Sequence, residues 1–357
     1  MIITVMIKRP RQMIKNVRLI LSMRQIKCAL VLKFLVISLI VSWLPVSVAF
    51  SQPGIAKVNG IDIAYHSYGE KNREVFLLIS GTNAQLTMWP KEFRDRIVSK
   101  GYRVIVFDNR DIGLSTKFEN AGLPDWNAIT KALENGEKPP LPYSLDDMAK
   151  DAVVLLDVLG IKKAHIVGAS MGGMIAQRVA YTFPEHTLSL TSIMAGGGKP
   201  TFPLVAKPEV VSQIPPPGAP DDTAAYIQRE LQSMRILAGT KFPITDKRAL
   251  ALIRMNMKRS FNPDGLIRQG AASLAAFYAG RSKELSTIKV PTLIIHGTED
   301  PLVVPDAGKD VASTVPHAKL EIIEGMGHDL PLALINKIVD TIISNAKTGA
   351  NSKAFPK

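Results

Sequence analysis

The chain has 357 residues, 46% of them hydrophobic, which is enough for a large buried core. Its formal net charge is +13, but eight of its 44 Lys/Arg fall within residues 1–33, where there is no acid; the other 36 are set against 31 acids without long runs. That distribution points to targeting rather than to a phosphate-binding face, so no nucleic-acid partner is expected.

In chain order, the basic start gives way to an uncharged stretch of 17 residues, Phe34–Phe50, broken by Pro45 and closed by the small residues Ala49 and Ser51. A basic region, a short apolar region and a small-residue end make a secretory signal. The stretch is short of the roughly 20 residues that span a bilayer. Residues 1–51 are therefore expected to be a leader, and the protein to be secreted or periplasmic. The alternative is an anchor through residues 34–50, and membrane association is expected only there, if the leader is uncleaved. Met23 opens a more ordinary signal than Met1, so the start stays open between them. Cys28 is the sole cysteine and lies in the leader. The chain after it can form no disulfide and offers no thiolate ligand or cysteine nucleophile.

Two β-type runs, "IAKVNG" and "IDIAYHSYG", meet at Asn59-Gly60, a strong hairpin signal. Continuous apolar runs follow at 75–80 and 102–108, as suits strands buried on both faces of a parallel sheet, with a helix expected over Trp89–Lys100 between them. Residues 117–142 read as a surface excursion with one short helix. Ser144 opens a helix with Asp147 three residues on, and Gly160 stops it. Strands are expected at 164–168, 188–195, 292–296 and 319–324, a helix over Met171–Thr182, and a last helix over about 332–346. Residues 196–220 are rich in Gly and Pro, and three helical patterns follow with no strand among them. The expected organisation is an α/β core over 52–195 and 280–347, with a mainly parallel, doubly wound sheet. A helical cap over 196–279 is inserted into it, and a loose tail covers 348–357.

"VGASMGGM" (167–174) holds Ser170 between glycines, after a strand and before a helix. A strand that turns sharply into a helix presents such a serine beyond the sheet, and only small neighbours let the chains pass that close. A serine hydroxyl needs a base. His66, His165, His186 and His317 sit where bland roles suit them, and His296, at a strand end, reads first as packing. His328, in "GMGHDLP", follows the last strand, where α/β sheets place their chemistry. Asp300, in "HGTEDPLV", is the candidate to orient the imidazole, with Glu299 the adjacent rival and Asp306 a remote one. An oxyanion needs fixed N–H donors. The backbone of Met171 is one candidate, and in the loop after "VFLLIS" Thr82 is the first choice and Gly81 the second. Trp89 and Phe277 are candidate walls of an apolar substrate pocket. No metal cluster or dinucleotide glycine motif is evident, so neither metal nor cofactor is expected.

The segments "LLISGTNAQLTMWP", "VIVFDNRDIGLST", "YSLDDMAKDAVVLLDVLG", "HIVGASMGGMIAQ", "PTLIIHGTEDPLV" and "GMGHDLP" together resemble the α/β-hydrolase superfamily, and within it the small serine esterases of the aclacinomycin methylesterase type. The resemblance runs from about residue 55 to 345. It implies Ser170 as nucleophile, Asp300 as acid and His328 as base, in the chain order of that fold, with Met171 and Thr82 as oxyanion donors. Two departures stand out. Asp111 replaces the first glycine of the family turn D-x-R-G-x-G-x-S, and Ser80-Gly81 stands where many relatives have His-Gly.

The expected function is cleavage of a carboxylic ester or lactone of a small apolar substrate through an acyl-enzyme. Serine-dependent C–C bond hydrolysis or cofactor-free perhydrolysis is one alternative, and a ligand-binding receptor with little turnover is another. Ser170 argues against epoxide hydrolases and dehalogenases, which need a carboxylate at the elbow. The leader makes its own prediction. Intact-mass analysis of protein from the extracytoplasmic fraction should find a chain beginning near Gln52; a full-length species fixed in the membrane would support the anchor instead.

Overall fold

The computed structural model describes residues 52–199, 207–215 and 222–352. The leader at 1–51, residues 200–206 and 216–221 in and beside the Pro/Gly stretch, and the last five residues lie outside them. Eight strands form one sheet in the order β1-β2-β4-β3-β5-β6-β7-β8. β1 (Gln52–Val58) and β2 (Ile61–Tyr68) are an antiparallel hairpin, joined at Asn59 and Gly60 with φ of 49° and 81°. Two positive φ values in succession are what a tight hairpin turn requires. β2 runs antiparallel to β4 (Arg103–Phe107). The rest of the sheet is parallel: β3 (Val75–Ile79), β5 (Ala164–Ala169), β6 (Thr187–Ile193), β7 (Thr292–Gly297) and β8 (Lys319–Ile323).

Alternation along each strand divides the core into two layers. Leu77, Ile79, Ile105 and Phe107 face the layer built by α3 (Leu145–Val158) and α4 (Met171–Thr182). Phe76, Leu78, Val104 and Val106 face the other layer, with α1 (Lys91–Ser99) and α11 (Ile335–Ser352). α3 begins as read: the Ser144 side chain accepts from Asp147 N, and the Asp147 carboxylate accepts from Ser144 N. Two boundaries differ. Pro90, which has no N–H to give, stands just before α1, so the helix starts at Lys91 and leaves Trp89 outside it. α11 runs to Ser352 rather than ending near 346, because no proline interrupts its polar last turns; the tail expected from 348 therefore begins as helix.

α2 (Trp126–Glu134), capped by Asp125, is the short helix of the 117–142 excursion. Between β6 and β7 lie α5 (Pro208–Val211), α6 (Thr223–Leu237), α7 (Asp246–Arg259), α8 (Pro263–Ala279) and α9 (Ser282–Leu285), with no strand among the described residues there. α6 and α7 have a small core of their own around Leu231, Ala249 and Ile253. α8 is different: its Ala272, Ala276 and Phe277 belong to the main core beside Met171 and Ala195. α10 (Pro305–Thr314) precedes β8.

The turn after β4 fastens these parts together. Asp111 is fully buried at φ 72°, a conformation that suits the family's glycine. Its carboxylate accepts both arms of the Arg268 fork from α8, at 2.5 and 2.9 Å, and also the Tyr143 hydroxyl and Phe118 N. Burial alone would raise its pKa, but the bonds from Arg268, Phe118 and Tyr143 outweigh that and hold it below the usual carboxylate range. The departure from the family pattern at Asp111 thus binds the inserted helices to the sheet domain.

Candidate active site

All the predicted reactive groups lie on loops at the carboxyl ends of parallel strands. Ser170 follows β5, and Gly81-Thr82 follows its neighbour β3; Asp300 and His328 follow the neighbours β7 and β8. Ser170 has φ 58° and ψ −125°. A Cβ added to Gly168 would lie 1.9 Å from the Gly172 carbonyl oxygen, and one added to Gly172 would lie 2.1 Å from that of Ile79. No larger residue fits either place, which is the physical content of the G-x-S-x-G spacing.

The structure brings Ser170, His328 and Asp300 together. His328 Nε2 is 2.8 Å from Ser170 Oγ, and His328 Nδ1 is 2.7 Å from Asp300 Oδ2. The other oxygen, Oδ1, accepts from Leu302 N at 2.9 Å and Val303 N at 2.8 Å. Burial alone would raise the Asp300 carboxyl; the charge of His328 and hydrogen bonds from His296 and His328 reverse that and hold it well below the usual range. Ionised Asp300 requires the proton of a neutral His328 to sit on Nδ1, which leaves Nε2 bare toward the serine.

The rivals stand elsewhere. Glu299 is half-buried and accepts from Thr240 N and Oγ1, and Asp306 pairs with Lys309 at the surface. His165 is buried between Ser189 and Glu74, and His186 meets Asp157 and Glu185. His66 is near Tyr68, and His317 occupies a turn at φ 59°.

Met171 N is the first amide of α4, next to Ser170, and it has no backbone partner among the described residues. Thr82 N likewise has none, whereas Gly81 N points to Met88 Sδ at 3.5 Å. This geometry favours Thr82 over Gly81 as a free donor. The loop is held from α8, where Gln269 Oε1 accepts from Asn83 N and the Thr82 and Ser273 hydroxyls meet at 3.2 Å. Trp89 and Phe277 are both fully buried. Trp89 stacks at a tilt on Phe93, with ring centroids 5.0 Å apart, and Phe277 lies against Gly196. These are contacts with core residues, Trp89 in one layer and Phe277 in the other.

Three features escaped the sequence reading. His296 reaches Asp300 from the end of β7. The end of α6 closes on the histidine loop, where His328 N donates to Leu237 O at 2.7 Å. Asp329, next to His328, has a buried Oδ1 with no partner among the described residues. Only the strand-end position of His296 gave any sign in the sequence.

The chain belongs to the α/β-hydrolase fold family, which it matches over residues 74–332. Within that family it is similar to the rhodomycin D methylesterase of Streptomyces sp. strain C5, 29% identical over 76% of this chain and 90% of the relative. It is also similar to the 2-hydroxy-6-oxononadienedioate/2-hydroxy-6-oxononatrienedioate hydrolase of Burkholderia vietnamiensis, 27% identical over 74% of this chain and 84% of the relative. Among solved structures, the meta-cleavage product hydrolase of Pseudomonas fluorescens IP01 shares the fold, with a TM-score of 0.64 and 21% identity over 83% of this chain and 97% of that one. The resemblance to methylesterase-type members stands, and these relatives support hydrolase activity.

Asp329 generates a prediction. Burial, opposed by the charge of His328 and reinforced by that of Asp300, pushes its carboxyl up to about 7. Between about pH 4 and 7 the folded chain keeps a proton there that the unfolded chain has released. The stability this group contributes is full below its unfolded pKa and is lost as pH rises through 7. Asp329→Asn should therefore gain thermal midpoint over the wild type progressively from pH 5 to pH 8, read by circular dichroism. A gap that stays constant across that range would contradict the assignment.

Proposed function

We propose that this chain is an exported serine hydrolase that cleaves a carboxylic ester or lactone of a small, largely apolar substrate through an acyl-enzyme. The observation that carries the reading is the continuous run from Asp300 through His328 to Ser170, with both contacts of His328 at hydrogen-bond length. Export rests on the basic and apolar leader alone.

In this mechanism His328 Nε2 takes the Ser170 proton as Oγ attacks the carbonyl carbon. The negative charge that forms on the carbonyl oxygen is met by the amides of Met171 and Thr82. Asp300 stabilises the imidazolium and holds it in register. When the tetrahedral species collapses, the leaving alkoxide takes the proton from His328, and the acyl group stays on Ser170. Water, deprotonated by the same imidazole, then releases the acid. The helices between β6 and β7 act as a cap in this reading. α8 holds the oxyanion loop and α6 closes on the histidine loop, so both halves of the site are shielded from bulk water.

A second reading has one observation in its favour, the similarity to hydrolases of 2-hydroxy-6-oxo dienedioates. Under it the same serine would cleave a C–C bond beside a ketone. A panel of short p-nitrophenyl esters, methyl esters, lactones and a vinylogous diketone separates the two. Ester turnover should dominate, and Ser170→Ala and His328→Ala should each lower kcat by roughly 10³-fold or more without loss of fold. A variant retaining a tenth of wild-type ester hydrolysis would refute the role given to that residue, and turnover confined to the diketone would establish the second reading.

A further inference from the structure

His296 is the next-to-last residue of β7 and is fully buried. Its Nε2 lies 3.2 Å from Asp300 Oδ2 and 3.2 Å from the carbonyl oxygen of Val303. Both neighbours are acceptors, so this nitrogen must carry the ring proton when the imidazole is neutral. Nδ1 then needs no acceptor, in keeping with its having no partner among the described residues. Behind the ring stands Gly308 of α10, where an added Cβ would lie 2.4 Å from Nδ1. Such a clearance leaves the ring no room to retreat from Asp300.

Asp300 Oδ2 is thus approached by two imidazoles, His328 through Nδ1 and His296 through Nε2, while Oδ1 takes two backbone amides. Val303 closes the set by donating its N–H to Oδ1 and facing His296 with its carbonyl. His296 gives its N–H to the Val303 carbonyl while its Nε2 stands 3.2 Å from Oδ2, so the ring braces the turn whose amides hold Oδ1 and closes the space into which Oδ2 would pivot. We propose that His296 is a positioning residue for this site. Backed by Gly308, it fixes Asp300 Oδ2 on the line to His328 and thereby sets the distance at which His328 can serve Ser170. The inference rests on the serine-hydrolase reading above.

The test measures the rate at which a fluorophosphonate labels Ser170, by intact mass and peptide mapping, beside kcat/KM for p-nitrophenyl acetate. His296→Phe keeps the ring volume and loses the donor, so labelling and kcat/KM should both fall roughly tenfold or more, the scale of one hydrogen bond to a charged group. In His296→Gln the amide nitrogen can occupy the place of Nε2, and both rates should recover to within about threefold of wild type, which a packing role would not produce. Gly308→Ala keeps the imidazole but displaces it, and should slow labelling as His296→Phe does. Wild-type labelling rates in both the His296→Phe and the Gly308→Ala proteins would overturn the inference, as would a His296→Gln protein as slow as His296→Phe. A wild-type chain that took no label at Ser170 would instead sink the proposed function, and this inference with it.

Discussion

Ser170 holds a backbone conformation that a residue with a Cβ adopts only under constraint, φ 58° and ψ −125°, and the rest of the site depends on it. The constraint comes from packing. β5 lies between β3 and β6 with every residue buried, and α4 leaves it so close to β3 that Gly172 faces the Ile79 carbonyl. On the other side of β5, Ser170 N donates to the carbonyl of Ile193 on β6, at 2.9 Å. A hydroxyl mounted this way is aimed by the core of the domain rather than by a loop, so its partners need only meet a fixed point.

Those partners meet it by opposite treatment of two acids in one neighbourhood. Asp300 is buried but receives donors on both oxygens, and its charge is stabilised. Asp329 is half-buried, its shielded Oδ1 has no donor among the described residues, and burial together with the charge of Asp300 raises its pKa. Below about pH 7, one carboxyl is thus kept ionised beside the imidazole while the other is kept from competing for it. The inserted helices add a further restraint, because Leu237 and Thr240 bond the loops that carry His328 and Asp300.

Much of this was legible in the sequence because local rules and tertiary demands agreed. The apolar runs, the Asn59-Gly60 turn, the capping residues Ser144 and Asp147, and the glycines around Ser170 each state their structure within a few positions. Ser170, Asp300 and His328 could be named because each follows a readable strand. What stayed hidden depends on contacts between distant residues. Nothing near Asp111 announces that Arg268, 157 residues on, will fill the place that a family glycine leaves open. Trp89 reads equally as pocket wall or core until Pro90 is seen to start α1 after it and Phe93 to take its ring. His296 reads as packing in its own strand, and its contact with Asp300 appears only once the chain turns back after Gly297.

The central claim is that Ser170 forms a covalent bond to the acyl group during turnover. It is tested most directly with a p-nitrophenyl N,N-dialkylcarbamate, whose carbamoyl-serine hydrolyses slowly enough to be isolated. One equivalent of p-nitrophenol should be released per chain, and peptide mapping should place the carbamoyl group on Ser170 and nowhere else. Stoichiometric release with the group on another residue, or lost activity with Ser170 unmodified, would contradict the account.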